Sequence, residues 1–245
     1  MNATDPSPDA DPAAAQGLVF VIRKILRAAN RAALGTILAG EERPYVSLVT
    51  TATDFDGSPI LLLSRLADHT RNLDADTHVS LLFDGTAGYA NPQQGPRVTL
   101  MGRIEHCPEP HVRQRFLARH PGAGLYADFA DFAFYRVQLE RVHWVGGFAR
   151  ARWLDQGLAC DWALSRRFET TAPALLQSLN ADQAALLTEL ANRVLKKRGK
   201  GWQAVAVDAD GIDLQRENSI LRLAFSQPLG SPDGLVPALS TLIPD

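Results

Sequence analysis

The chain has 245 residues, 46% of them apolar and 21% charged, enough to fill a core without disulfide or metal staples. Its 25 Lys and Arg against 27 Asp and Glu leave a net charge of −2, which excludes a dedicated nucleic-acid binder that depends on a basic excess. Cys107 and Cys160 form neither a Cys-x-x-Cys pair nor a disulfide framework, and no apolar run approaches the roughly 20 residues of a membrane span, so a cytoplasmic protein without membrane contacts is expected.

Residues 1–16 have neither the basic start nor the apolar run of a signal peptide, and too little large apolar surface to repay ordering; a disordered tail is expected there. From Gly17 the spacing of Leu18, Ile22, Ile25, Ala29 and Ala32 predicts an amphipathic helix. Arg23, Arg27 and Arg31 form a cationic stripe on other positions of it, for which a solvated face is the favoured reading over a phosphate or partner contact. After Gly35 the period shortens to two, and residues 34–38, 45–52, 60–64, 78–83, 97–105 and 135–142 read as strands. Between the second and third, Asp54-Phe55-Asp56-Gly57-Ser58-Pro59 has the chemistry of a hairpin loop, with Gly57 free to take a positive φ. Short strands with turns between them indicate an antiparallel barrel or sandwich. Helices are expected over 109–119, stopped by Pro121 and Gly122, and near 125–132. Composition changes after Trp153. A long helix is expected over 180–198, with Asn180 as N-cap and Lys196, Lys197 and Arg198 at its negative end, followed by a hairpin (202–208 and 212–216), a strand (221–225) and a last helix. This is a small α+β module.

Three segments hold the candidate chemistry. In Leu61–Leu73 a strand ends in Ser64 and Arg65 and turns into a helix at about Asp68, where His69, Thr70 and Arg71 follow. Unpaired amides and partial positive charge at a helix start suit a phosphate, whereas Asp68 capping the helix with the arginines in water is the equal alternative. On a strand, Arg97, Thr99, Met101 and Arg103 share one face and Val98 and Leu100 the other, which suits a ligand lying against the outside of a barrel or an edge strand guarding against aggregation. In His143–Arg150, Gly146 and Gly147 permit close backbone approach and Trp144 or Phe148 would pack on a planar ring, unless they are core aromatics beside a turn.

The ordered series SRLADHTRNL, PRVTLMGRIE, FLARHP, FADFAFYRV and VGGFARARWL resembles the FMN-binding split-barrel family related to pyridoxamine 5′-phosphate oxidase, and most of all its haem-utilisation branch. LNADQAALLTELA, AVDADGIDL and LRLAFSQPL resemble the small α+β domain that accompanies that branch, so the likeness covers about residues 18–245. The resemblance implies an α+β protein: a six-stranded antiparallel split β-barrel over 17–154, then a small α+β domain over 155–245. It also implies a homodimer with FMN at two sites in the subunit interface. Carried over position by position, Ser64 ends the phosphate-holding strand, His69 and Thr70 stand where the oxidases have an Arg-Lys pair, and Arg97 stands where a side chain reaches the isoalloxazine. Two departures follow. Ser47 and Ala52 replace an Arg and a Lys on the second strand, which leaves Arg65 or Arg71 to compensate. Ser178-Leu179-Asn180-Ala181-Asp182-Gln183 replaces a His-Met-Asn-x-Asp-His run, so haem ligation through that run is unsupported.

His106, Cys107 and His111 lie close in sequence but straddle a strand end and two prolines, and no metal site is assigned. Asp208-Ala209-Asp210-Gly211-Ile212-Asp213 has the look of a calcium loop without its closing glutamate, and a hairpin turn explains it. There is no nucleophile elbow, Walker loop or dinucleotide fingerprint. The expectation is an FMN-binding flavoprotein, an oxidoreductase acting on a small planar or haem-like substrate. Ser64, Arg65, His69 and Thr70 would hold the phosphate, and Ser47, Arg97 and Thr99 would lie near the ring or ribityl chain. A non-catalytic flavin or haem carrier and a haem-degrading oxygenase are the alternatives. No residue is assigned as a general acid or base.

Overall fold

The computed structural model describes residues 12–155 and 158–244, so most of the tail expected over 1–16 lies outside the described residues. Helix α1 (Pro12–Ala28) already begins at Pro12, upstream of the expected Gly17. Strands β1 (Arg31–Ile37), β2 (Pro44–Thr53), β3 (Pro59–Ser64), β4 (His78–Asp84), β5 (Arg97–His106) and β6 (Phe132–Val145) follow, with α2 (Asp68–Ala75) between β3 and β4 and α3 (Pro110–Arg119) between β5 and β6. They pair antiparallel in the order β3-β2-β1-β4-β5-β6, and β3 pairs β6 to close a six-stranded barrel; β7 (Ala151–Leu154) extends β6.

Alternation along these strands fills the barrel. Leu34, Val49, Leu61, Leu81, Leu100 and Val142 point inward, and Ile22 and Leu26 of α1 join the same core. At Gly102 the register of β5 against β6 shifts, and a Cβ there would overlap the carbonyl of Gln138, so only glycine lets the two strands approach. In place of the expected helix near 125–132, a short 3-10 helix, Pro121–Leu125, gives way to successive tight turns through residue 131, and β6 starts at Phe132.

The second domain is a three-stranded sheet, β8 (Gln203–Asp208), β9 (Gly211–Arg216) and β10 (Ser219–Ala224), covered by α4 (Trp162–Asp182), α5 (Ala184–Glu189) and α6 (Leu235–Thr241). Here the sequence reading needs correction. The long helix is 162–182, capped by Asp161, whose side chain accepts from the Leu164 amide at 2.9 Å. Asn180 is no N-cap. It lies in the last turn of α4 and exchanges two hydrogen bonds with the Ala204 backbone of β8. Lys196–Arg198 do follow a helix end, though of a shorter helix than expected: α5 continues helically over Leu190–Val194, Lys196 leaves it at φ +56, and the Lys197 amide donates back to the carbonyl of Ala191.

The two domains meet through buried charge, which corrects the solvated-face reading of Arg23 and Arg27. Arg23 and Arg27 both donate to Asp210, Arg27 and Arg115 to Asp208, and Arg222 to Asp208 as well. Arg27 also donates to the Thr53 hydroxyl and to the carbonyls of Asp54 and Phe55 in the β2–β3 hairpin. That hairpin closes with Gly57 at φ +97, where a Cβ would press on Arg23. It inserts Phe55 into the second domain's core, under the guanidinium of Arg115 at 4.2 Å. Arg31, the third member of the stripe, is exposed on β1. Removing one partner of such a network strands a buried charge, so Arg27→Ala is expected to cost about 3–5 kcal/mol in urea unfolding. A loss under about 1 kcal/mol would mean the network is solvated.

Candidate functional site

The predicted site residues separate into two groups. The first gathers at the start of α2. Ser47 on β2 points toward the barrel end that α2 covers, and its hydroxyl lies 3.1 Å from Nδ1 of His69. Burial holds the His69 imidazole below its ordinary pKa against the pull of Asp68, so the ring is neutral near pH 7. Thr70 is buried and its hydroxyl has no partner. The helix begins after Ala67, so Asp68 lies inside its first turn and makes no cap. Ser64 donates to Asp131 at 2.6 Å and accepts the Leu66 amide, and Arg65, exposed, donates to the carbonyl of Ala130. Arg71 pairs with Asp68. This donor set fits a doubly charged phosphate poorly: Asp131 occupies the Ser64 hydroxyl, and two carboxylates stand near one guanidinium without an acidic partner.

The second group lies on the outer face of the sheet. Strand register aligns Leu48, Ala33, Leu82, Thr99, His143 and Trp153 in one row from β2 to β7. Val46, Gly35, Ser80, Met101 and Arg141 form the next. Their inward neighbours are the barrel core, so these side chains face out: Leu48 is 71% exposed and Val46 66%, with Leu82 and Met101 also exposed. Exposed apolar side chains gathered in this way make the sheet face a candidate binding surface. At one end His143 stacks on Trp153 with centroids 4.4 Å apart, and Arg141 covers the same indole. In the flanking row Asp84 of β4 stands opposite Arg97 and feels the charge of Arg31, and Arg97 also donates to the carbonyls of Gln93 and Gly95. Among the described hydrogen bonds none joins Arg97 or Thr99 to the α2 group. Trp144, partly buried, packs against Gly146 and the edge of the barrel core, while Phe148 is exposed at the turn.

Sequence reasoning missed the row itself. Each strand's alternation showed which residues share a face, but only the register shows that Leu48, Leu82 and His143 are neighbours. The chemistry expected of single motifs also went elsewhere. His111 bridges Asp54 and Glu169 across the domain junction, both at 3.4 Å, Cys107 donates to Glu109, and His106 lies edge-on to Tyr135. Among the described residues no three His, Cys, Asp or Glu side chains converge as a metal site. Burial and Glu109 push the Cys107 thiol up to about 12, so it is no thiolate nucleophile at neutral pH.

Residues 15–158, more than half of the chain, match the family described as CREG, beta-barrel. The chloroplastic noncanonical heme oxygenase HOZ of Arabidopsis thaliana is 40% identical over 114 residues, 45% of this chain and 34% of that protein, so the chain spans about a third of that relative's length. A crystal structure of a protein of unknown function from Agrobacterium tumefaciens superposes with a TM-score of 0.75 at 27% identity, covering 96% of this chain and 99% of that one. A heme binding protein from Mycobacterium smegmatis gives 0.54 at 25% identity, covering 98% of each. No helix of the described residues is long and apolar enough to cross a membrane.

Asp54 sets an acid limit on the junction beside these surfaces. Burial raises its pKa, but the His111 hydrogen bond, Arg115 and the Phe55 amide outweigh that and bring it down to about 2. A carboxyl held below its unfolded value of roughly 3.9 contributes stability above that value and loses it as pH falls toward 2. Urea unfolding midpoints should therefore drop between about pH 4 and pH 2. The drop should be shallower in Asp54→Asn; an identical profile in the variant would remove Asp54 from the acid transition.

Proposed function

The chain belongs to the CREG, beta-barrel family, and on that footing we propose that it is a haem-binding protein whose outer sheet face takes the flat tetrapyrrole. The observation that carries this reading is the exposed apolar row Leu48–Leu82–Thr99 with an imidazole and an indole at its end and cations beside it. The heme-binding structure and the heme oxygenase to which the chain is similar support it.

The parts match the ligand by chemistry. Leu48, Leu82 and Met101 would pack on one face of the ring and keep water from it. Arg31 and Arg97 would neutralise the propionates as charge-assisted donors. His143, oriented by its stack on Trp153, would hold the iron, which supplies redox and gas-binding chemistry when bound. A single sheet covers only one side of a planar ring. A second copy of the chain would cover the other, so the functional unit is a homodimer joined across this face. Oxygen-dependent breakdown of the haem is the enzymatic extension of this reading.

A flavin reading rests on the other group. The Ser47–His69 pair and the orphaned Thr70 hydroxyl support an FMN phosphate at the start of α2, with Ser64 and Arg65 completing it; Asp131 and Asp68 oppose it. In this version Arg97 and Thr99 would meet the isoalloxazine, and an oxidoreductase activity would follow from the cofactor.

One set of spectra separates these. Hemin added to purified protein is expected to give a saturable Soret band, and His143→Ala to move that band and weaken binding roughly tenfold, about 1.4 kcal/mol. Bleaching of the band under ascorbate and air would add the oxygenase activity. A yellow protein that releases FMN on boiling and gives no Soret band would reject the haem reading in favour of the flavin one.

A further inference from the structure

A cleft of about 520 Å³ opens where the end of the barrel meets the β9–β10 turn. Its polar lining is Asn30, Arg119 and His120 from the barrel side and Asn218 and Ser219 from the turn; no carboxylate lines it. None of these residues belongs to the α2 group or to the outer sheet rows.

Arg119 is nine-tenths buried, yet it is incompletely balanced. Among the described residues its one acidic partner is Asp213 at 3.3 Å, which it shares with Arg222 at 3.6 Å. Its other bond goes to the uncharged carbonyl of Ala28. Around it, five guanidinium groups (Arg23, Arg27, Arg115, Arg119 and Arg222) pair with three carboxylates, Asp208, Asp210 and Asp213. Beside them Arg136 pairs with Asp54 and Asp56, and Arg115 also feels Asp54, so counting these groups too leaves guanidinium in excess of carboxylate by one. Nε of Arg222 is buried without any acceptor. Burial lowers the Arg119 pKa, and nearby Arg222 lowers it further against the pull of Asp213, which is how an under-compensated cation behaves. The surplus positive charge of the junction thus surfaces at Arg119, among neutral side chains able to donate.

We propose that this cleft binds the oxyanion group of a small molecule, a phosphate or a carboxylate, with Arg119 as its cation and Asn30, Asn218 and Ser219 as neutral donors. Charge-assisted bonds from a guanidinium are the strong ones, and a partly dry wall raises their worth. Because the lining comes from both domains, the ligand would fasten the β9–β10 turn to the barrel end. An occupied cleft would resist opening of the junction.

Inorganic phosphate and acetate, titrated calorimetrically into the full chain at constant ionic strength, test this. Saturable binding of at least one is expected, and which one binds tells a phosphate ligand from a carboxylate ligand. Arg119→Gln should weaken it roughly tenfold. Asn218→Asp and Asn218→Lys, on an exposed turn where folding is not at stake, should shift affinity in opposite directions, down and up by severalfold. Arg65→Gln, in the separate α2 group, should leave it unchanged. Absence of saturable binding by either anion would overturn the proposal. So would binding that Arg65→Gln weakens while both Asn218 variants leave it untouched.

Discussion

The molecule is organised around one buried guanidinium. Arg27 lies at the junction with almost no exposed surface and reaches two carboxylates of the second domain and three oxygens of the barrel's own hairpin. Taking such charges out of water costs several kcal/mol per ion, and only this density of fixed partners offsets it. The β2–β3 hairpin, α1, α3 and the β8–β9 turn therefore hold one mutual arrangement. Gly57 is needed where the hairpin passes beneath Arg23, and Phe55 can enter a neighbouring core only because the hairpin is held there.

That commitment decides where a ligand can go. The hairpin and α3 side of the barrel is covered by the second domain, whereas the rows from β2 to β7 remain open and apolar. A fold of this kind hosts unrelated chemistries, so function is argued from the surface left free and from the side chains on it. The row of Leu48, Leu82, Thr99 and His143 offers an exposed platform with an imidazole at its end, while at the start of α2 the Ser64 hydroxyl is engaged by Asp131 and the Ser47 hydroxyl by His69. The same charge bookkeeping (more guanidinium than carboxylate at the junction) explains why a donor-lined cleft appears at Arg119.

The barrel strands were readable because their signals are local: a period of two, turn residues such as Asp56-Gly57, and an apolar face that has only one place to go. α4 was not. Pro173 in its middle and the polar run Arg166, Arg167, Glu169, Thr170 and Thr171 obscure its face, and Asn180 looks like a cap until its partner on β8 is seen. Arg23 and Arg27 showed the same limit. Spacing reveals that they share a helix face, but their partners lie more than 180 residues away, and nothing nearby in the chain announces Asp208 or Asp210. The hairpin Asp208–Asp213 was placed correctly as a turn, but its acids were discounted because no metal geometry accompanied them. Ser47 was expected near the ring and His69 at the phosphate, yet the two side chains meet at 3.1 Å, whereas Thr99 belongs to a surface that only the register assembles.

The central claim is that barrel and second domain stand or fall as one unit through this buried charge. Trp144 reports on the barrel and Trp202 on the second domain, so urea unfolding of variants retaining one or the other tryptophan measures it directly. The account predicts coincident transitions in the parent, moving down together when Asp208→Asn is introduced. A barrel transition that stays in place while that of Trp202 alone shifts would contradict it.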